Sequence, residues 1–138
     1  MSPSGPEPIV VAAVAFIRDG HVLTVRKQGT SRFMLVGGKF EPGEDALAAA
    51  IRETREEVGI VVTDLELLGD FVSEAANEPG HVLHSTVYLA PDDITATPVA
   101  SGEIAELRWT PMNDHPDDLA PMLEHHVLPA LLERRPTG

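Results

Sequence analysis

From Ile9 to Ile17 the chain reads "IVVAAVAFI", a run of apolar residues with no polar interruption. A helix that spans a bilayer needs about 20 such residues, so this run is too short to cross one. No basic segment precedes it, which argues against a secretory leader. What remains is a strand buried inside a folded domain. "RDG" follows, then the strand-like "HVLTVRK" from His21. Asp19-Gly20 is a strong short-hairpin signal, so two antiparallel strands are expected on either side of it.

A chain of 138 residues has enough material for one core. Residues 1–8, "MSPSGPEP", read as a loose tail, and 9–135 as a single domain. "RFMLV" resumes extended structure, after which Gly37-Gly38 and Pro42-Gly43 punctuate a loop. Asp45 to Val58 reads as a helix, because Leu47, Ala50, Ile51, Thr54 and Val58 fall on one stripe. Glu44 and Asp45 suit the positive end of its dipole, and Gly59 suits a left-handed C-cap. Three further strands are expected, in "IVVTDLELLGDFVSE", "HVLHSTVYLA" and "EIAELRWTPM". The spacing of Leu119, Met122, Leu123, Val127, Leu128 and Leu131 predicts a closing helix over 117–134, interrupted near Pro129. This order predicts an α/β (α+β) fold, a mixed sheet with helices packed on it.

Ten basic residues against 22 acidic ones leave a net charge of −12. A broad basic surface for a nucleic-acid polymer is therefore not expected. A small anionic substrate remains compatible if metal ions stand between it and the protein. With no cysteine, thiolate nucleophiles, disulfides and zinc-thiolate sites are all excluded. A cytoplasmic protein without a membrane partner is the expectation.

Against that background, Glu53, Glu56 and Glu57 are conspicuous. They stand at i, i+3 and i+4 on the helix, so they leave one face, at the border of the apolar stripe. Like charges at this spacing weaken a helix by about 0.2–0.5 kcal/mol per pair. Taken alone, "RETREEVG" would be a solvated helix face partly balanced by Arg52 and Arg55. In a partly buried cleft, the same three acids would suit a hard divalent cation, which prefers carboxylate oxygens.

The preceding loop favours the second reading. Gly38, Glu44, then Arg52, Glu53, Glu56, Glu57, Gly59 and Ile60 occur in the register G-x5-E-x7-R-E-U-x-E-E-x-G-U, with U a bulky apolar residue. In this the sequence resembles the Nudix hydrolases. Thr54 departs from the first U position, and Val36 stands where a proline is common before the two glycines. Strand order and "EIAELRW" extend the resemblance more loosely along the chain. It implies an α/β/α sandwich with a mixed sheet, and cleavage of a nucleoside diphosphate linked to another group.

The resemblance also implies roles. Mg²⁺, or Mn²⁺ in its place, would be held by Glu56 and Glu57, with Glu53 a third ligand or the base that activates water. Arg52 would orient the glutamates, with Glu44 among its partners, and the Gly37 carbonyl would add a backbone ligand. Gly38, Glu44 and Gly59 would be structural. Lys39 would touch phosphate or a neighbouring acid, or simply face solvent. Glu103, upstream of Trp109, would be an additional ligand or base, the alternative being a surface glutamate; Glu106 is its nearby competitor.

Other polar residues carry less. His81 and His84 should point to opposite faces of a strand, and His125-His126 look structural or exposed. Ser73 and Ser85 have no triad context. Phe33, Phe40, Phe71 and Tyr88 are expected in the core rather than stacked on a base. Downstream of the motif, Ala75 and Asn77 replace the proline and tyrosine that mark ADP-ribose and dinucleoside polyphosphate hydrolases, and the nearest proline is Pro79. The short chain is most similar to the MutT-like group, which splits a (d)NTP into a monophosphate and pyrophosphate, including oxidised nucleotides. ADP-ribose or nucleotide-sugar hydrolysis is the alternative, followed by a noncatalytic binding module of this fold. Family members are often homodimers, which would apply here by resemblance alone.

Overall fold

The computed structural model describes residues 7–75, 80–91 and 95–133. Strand β1 (Ile9–Ala15) forms the centre of a mixed four-stranded sheet, order β4-β1-β6-β5. It runs antiparallel to β4 (Val36–Lys39) and parallel to β6 (Val82–Leu89), which pairs in turn with β5 (Glu66–Glu74). A smaller antiparallel sheet, order β2-β3-β7, holds β2 (Ile17–Arg18), β3 (His21–Lys27) and β7 (Ile104–Pro111).

The all-apolar composition of β1 follows from what covers it. Ala12 and Val14 pack with Ala49, Ala50 and Val58 of helix α1 (Ala46–Val58). Ala13 and Ala15 pack on the opposite face with Leu123, Val127 and Leu128 of the C-terminal helical segment. A strand buried on both faces reads as a continuous apolar run instead of an alternating one. The helices on the two faces make the α/β/α sandwich that the resemblance implies.

The run nevertheless does not form one strand of a hairpin. It breaks at Phe16, and only β2 pairs with β3, Arg18 opposite His21. Asp19 (φ 50°) and Gly20 (φ 76°) are both left-handed, as a tight two-residue hairpin turn requires. The single expected sheet is thereby divided into two.

Four other boundaries move. Gly37-Gly38 lies in β4 rather than in a loop, because residues without side chains can approach β1 closely; a Cβ on Gly37 would lie 2.7 Å from Ala13 Cα. Asp45 is the N-cap of α1 and not its first residue, its carboxylate accepting from the Ala48 N–H at 2.8 Å. The expected strand from Ile60 starts only at Glu66. The closing helix begins near Pro121, with a π-helical turn at Leu123–Val127 before α2 (Leu128–Glu133). That wide turn immediately precedes Pro129, whose ring would collide with the His125 carbonyl in an unbroken α-helix.

On α1 itself, Leu47 is exposed while Ala49 and Glu57 are buried, so the core-facing stripe is rotated toward the acidic residues. Thr54 fits its buried site because its hydroxyl donates to the Ala50 carbonyl at 2.8 Å. Gly59, at φ 73°, ends the helix as expected. No helix among the described residues is long and apolar enough to cross a membrane.

Candidate active site

The loop from Phe40 to Glu44, the end of β4 before it and the edge of α1 are joined through one cation. The Arg52 guanidinium donates to both Glu44 oxygens at 2.7 and 3.0 Å. It also donates to Glu53 at 3.3 Å, to Glu56 at 3.0 Å and to the Lys39 carbonyl at 3.0 Å. The two-pronged bond to Glu44 uses the planar fork that lysine lacks. Glu44 closes the loop on itself by accepting from the Glu41 N–H at 2.8 Å. Arg52 therefore ties loop to helix, with Glu44 as its main partner.

Glu57 occupies a different environment. It is 4% exposed, accepts from the Gly37 N–H at 3.1 Å, and has the Lys27 ammonium 3.8 Å from its second oxygen. Burial pushes its carboxyl up to about 7, against the lowering effect of the Gly37 hydrogen bond and Lys27. Burial also raises Glu53, which Arg52 and Lys27 oppose. Gly38 leaves room for Glu53: a Cβ on Gly38 would strike the Glu53 carboxylate.

Glu103 joins these groups through contacts remote in sequence. The Glu57 and Val58 carbonyls at the end of α1 accept from the N–H groups of Ser101 and Val99, both at 3.0 Å. The Gln28 N–H donates to the Glu103 carbonyl at 2.9 Å. Glu103 consequently stands in the turn before β7, lining the same cleft as Glu53, Gly37 and Lys39, and its charge contributes to raising Glu57. Glu106 points elsewhere and pairs with Arg26 at 3.2 Å.

The three motif glutamates thus do not share one environment. Glu57 is enclosed, Glu53 lies beneath Gly38, and the Glu56 side chain is 51% exposed on Arg52. Among the described residues, no three acidic or histidine side chains converge into a ready-made cation cage. The donor chemistry still suits a hard cation, because an enclosed carboxylate short of charge compensation is what a divalent ion relieves.

Lys27 is the residue that sequence reasoning missed. It lies on the same alternation as Leu23 and Val25, which face the α1 side of the core, so an inward-facing lysine at the end of β3 was the available signal. Among the described residues His81 and His84 share no partner and the buried His81 Nδ1 has none, while the His125 side chain is 66% exposed. All four aromatics considered for base stacking pack into the core clusters, and Arg108 covers the Phe33 ring at 3.7 Å. Asn77 and Pro79 lie outside the described residues.

The NUDIX domain family model matches residues 7–131. The chain is 31% identical over 98 residues to an uncharacterized Nudix hydrolase, YvcI, of Bacillus subtilis, covering 70% of this chain and 61% of that protein. It is 34% identical over 89 residues to the CTP pyrophosphohydrolase of Escherichia coli, covering 61% of this chain and 63% of that protein. The matches thus span less than two thirds of either relative. The crystal structure of a MutT NUDIX hydrolase from Burkholderia pseudomallei superposes with a TM-score of 0.74 at 26% identity, over 95% of this chain and 100% of that one.

Proposed function

Since this chain belongs to the Nudix family, we propose that it is a Mg²⁺-dependent pyrophosphohydrolase that splits a nucleoside triphosphate into a monophosphate and pyrophosphate. The observation that carries this is Glu57, a buried carboxylate pushed up to about 7, which contacts Gly37 and Lys27 in the lining of a cleft of about 450 Å³. That volume is in the range of small-molecule sites. The similarity to a CTP pyrophosphohydrolase and to a MutT hydrolase supports the choice of a triphosphate.

Glu53, Glu56, Glu57 and the Gly37 carbonyl are the groups that would hold the cation. Once bound, Mg²⁺ would neutralise phosphate charge and acidify water. Arg52 fixes the loop against the helix, so Gly38 and Glu53 keep their relative position. Lys27 and Lys39, both lining the cleft, supply positive charge for phosphate oxygens. Water attacks phosphorus, the anhydride P–O bond breaks, and Glu53 or Glu103 takes the proton. A chain of net charge −12 repels a polyphosphate at range. Binding therefore depends on this local reversal of sign, and Mn²⁺ would be an acceptable substitute.

ADP-ribose or a nucleotide sugar takes second place, because Ala75 stands where the ADP-ribose signature has proline. A noncatalytic module is disfavoured by the retention of every acid in the motif.

The test is phosphate and pyrophosphate release from nucleoside triphosphates, ADP-ribose and nucleotide sugars, with and without Mg²⁺, against Glu57→Gln. Loss of one cation ligand should remove several kcal/mol of transition-state stabilisation, at least about a hundredfold in kcat. No release from any substrate would sink the hydrolase reading. Undiminished turnover by the variant would sink the role of Glu57.

A further inference from the structure

The cleft continues well past the acidic residues. Its far walls are apolar, formed by Ile9, Val11 and Leu83 from the sheet and by Met122, Leu123 and Val127 from the C-terminal helical segment. One polar side chain interrupts this lining from the floor. Ser85 is 4% exposed, and among the described residues its hydroxyl has no hydrogen-bond partner. It is not among the sealed polar atoms, so the hydroxyl opens into the cavity. The remaining polar lining residues are Lys27, Lys39, Glu53 and Glu103 at the acidic end, and Glu74, exposed at the rim.

The sheet register sets the distance between the two ends. Val11 of β1 pairs with Lys39 on one side and with Ser85 on the other. Ser85 therefore lies two strand spacings, about 10 Å, across the sheet from Lys39. Phosphates at the acidic end would leave a nucleoside's base over Ser85.

We infer that Ser85 is the specificity-determining residue that reads the nucleobase of the substrate, an assignment that rests on the hydrolase reading above. An apolar pocket alone separates similar ligands weakly, whereas a buried polar group left unpaired by the wrong ligand discriminates strongly. A hydroxyl both donates and accepts, so Ser85 can meet a carbonyl or an amine on the base edge. The walls also argue against the second sugar of a nucleotide sugar in this cavity. Its several hydroxyls would lose water and find one partner, at a penalty for each unmatched group.

The experiment pairs binding with kinetics, using wild type, Ser85→Ala and Ser85→Thr. Binding of CMP, UMP, AMP and GMP is followed by NMR without metal, and hydrolysis of the four triphosphates with Mg²⁺. Wild type should rank the bases. Ser85→Ala should weaken the preferred base about threefold to tenfold, the range of one hydrogen bond, raising KM more than it lowers kcat. Ser85→Thr, which keeps the hydroxyl, should retain the ranking. Absence of any base ranking in wild type, or an unchanged ranking in Ser85→Ala, would overturn the assignment. Ranked binding without hydrolysis would sink the hydrolase reading and leave Ser85 standing. Hydrolysis with an unaltered ranking in Ser85→Ala would do the reverse.

Discussion

The loop end and the helix end of the glutamate motif handle the same functional group in opposite ways. At the loop end, the Arg52 hydrogen bond holds the Glu44 carboxyl below its usual range. At the helix end, burial drives Glu57 upward, and one N–H and a lysine at 3.8 Å do not compensate. In the first region a single guanidinium, Arg52, engages the carboxylates of Glu41, Glu44 and Glu56. The second is short of positive charge. A protein gains nothing in stability from such a deficit, and under the proposed function it is this second region whose charge a bound cation would compensate.

The largest expected effect follows from Glu57. Its carboxyl rises from the ordinary 4.5 to about 7, so the folded state favours the protonated form. The stability this contributes is complete below pH 4.5 and is lost as the pH rises through about 7. Over that window the loss is about 3 kcal/mol in the absence of divalent cations. Glu44 and Asp118 are lowered by their arginine partners and have the opposite sign, contributing stability that is lost only on acidification. Denaturant unfolding of Glu57→Gln in EDTA isolates the effect. The variant should be the more stable protein at pH 8 and close to wild type near pH 4.5. Equal stability at pH 8 would erase the contrast between the two regions.

Gly37→Ala comes next. A Cβ there meets the backbone of β1, which cannot swing aside, and overpacking of this kind costs about 1–3 kcal/mol. A thermal melt that matched wild type would show that β4 does not need this close approach.

Arg52→Lys should cost about 1–2 kcal/mol, because the two-pronged bond to Glu44 is lost while water still reaches the network. The loss should shrink at high salt, as measured by urea unfolding at two ionic strengths.

Gly38→Ala should be the mildest, about 0.5–1.5 kcal/mol, since the Cβ displaces the end of a flexible Glu53 side chain off its rotamer. Its signature should be kinetic, with kcat falling by more than the change in stability explains. A variant as active as wild type would separate Glu53 from the chemistry.

Much of this was legible in the residues. β1 was visible as an apolar run, the Asp19-Gly20 turn as a dipeptide, and α1 through its stripe and Gly59. The partnership of Arg52 with Glu44 was implied by the family resemblance, and the two-pronged bond between them bears it out. Less was legible where distant segments decide. The stripe on α1 left Glu57 at its border; in the folded chain β4, Lys27 and the 99–101 segment enclose it. Leu47, an apparent core residue, is exposed, because among the described residues nothing covers the start of the helix on that side.

The sequence alone determined the glutamate motif, its helix and the buried strand beside it, because those depend on local spacing and on side chains that must leave water. Only the tertiary structure decided that Gly37-Gly38 is a strand, that Lys27 and Glu103 reach Glu57, and that the Ser85 hydroxyl opens into an apolar cavity. These depend on sheet register and on the docking of residues far apart in the chain. A periodic pattern carries no record of which partner arrives from across the fold, and here that partner sets both the charge of Glu57 and the surroundings of Ser85.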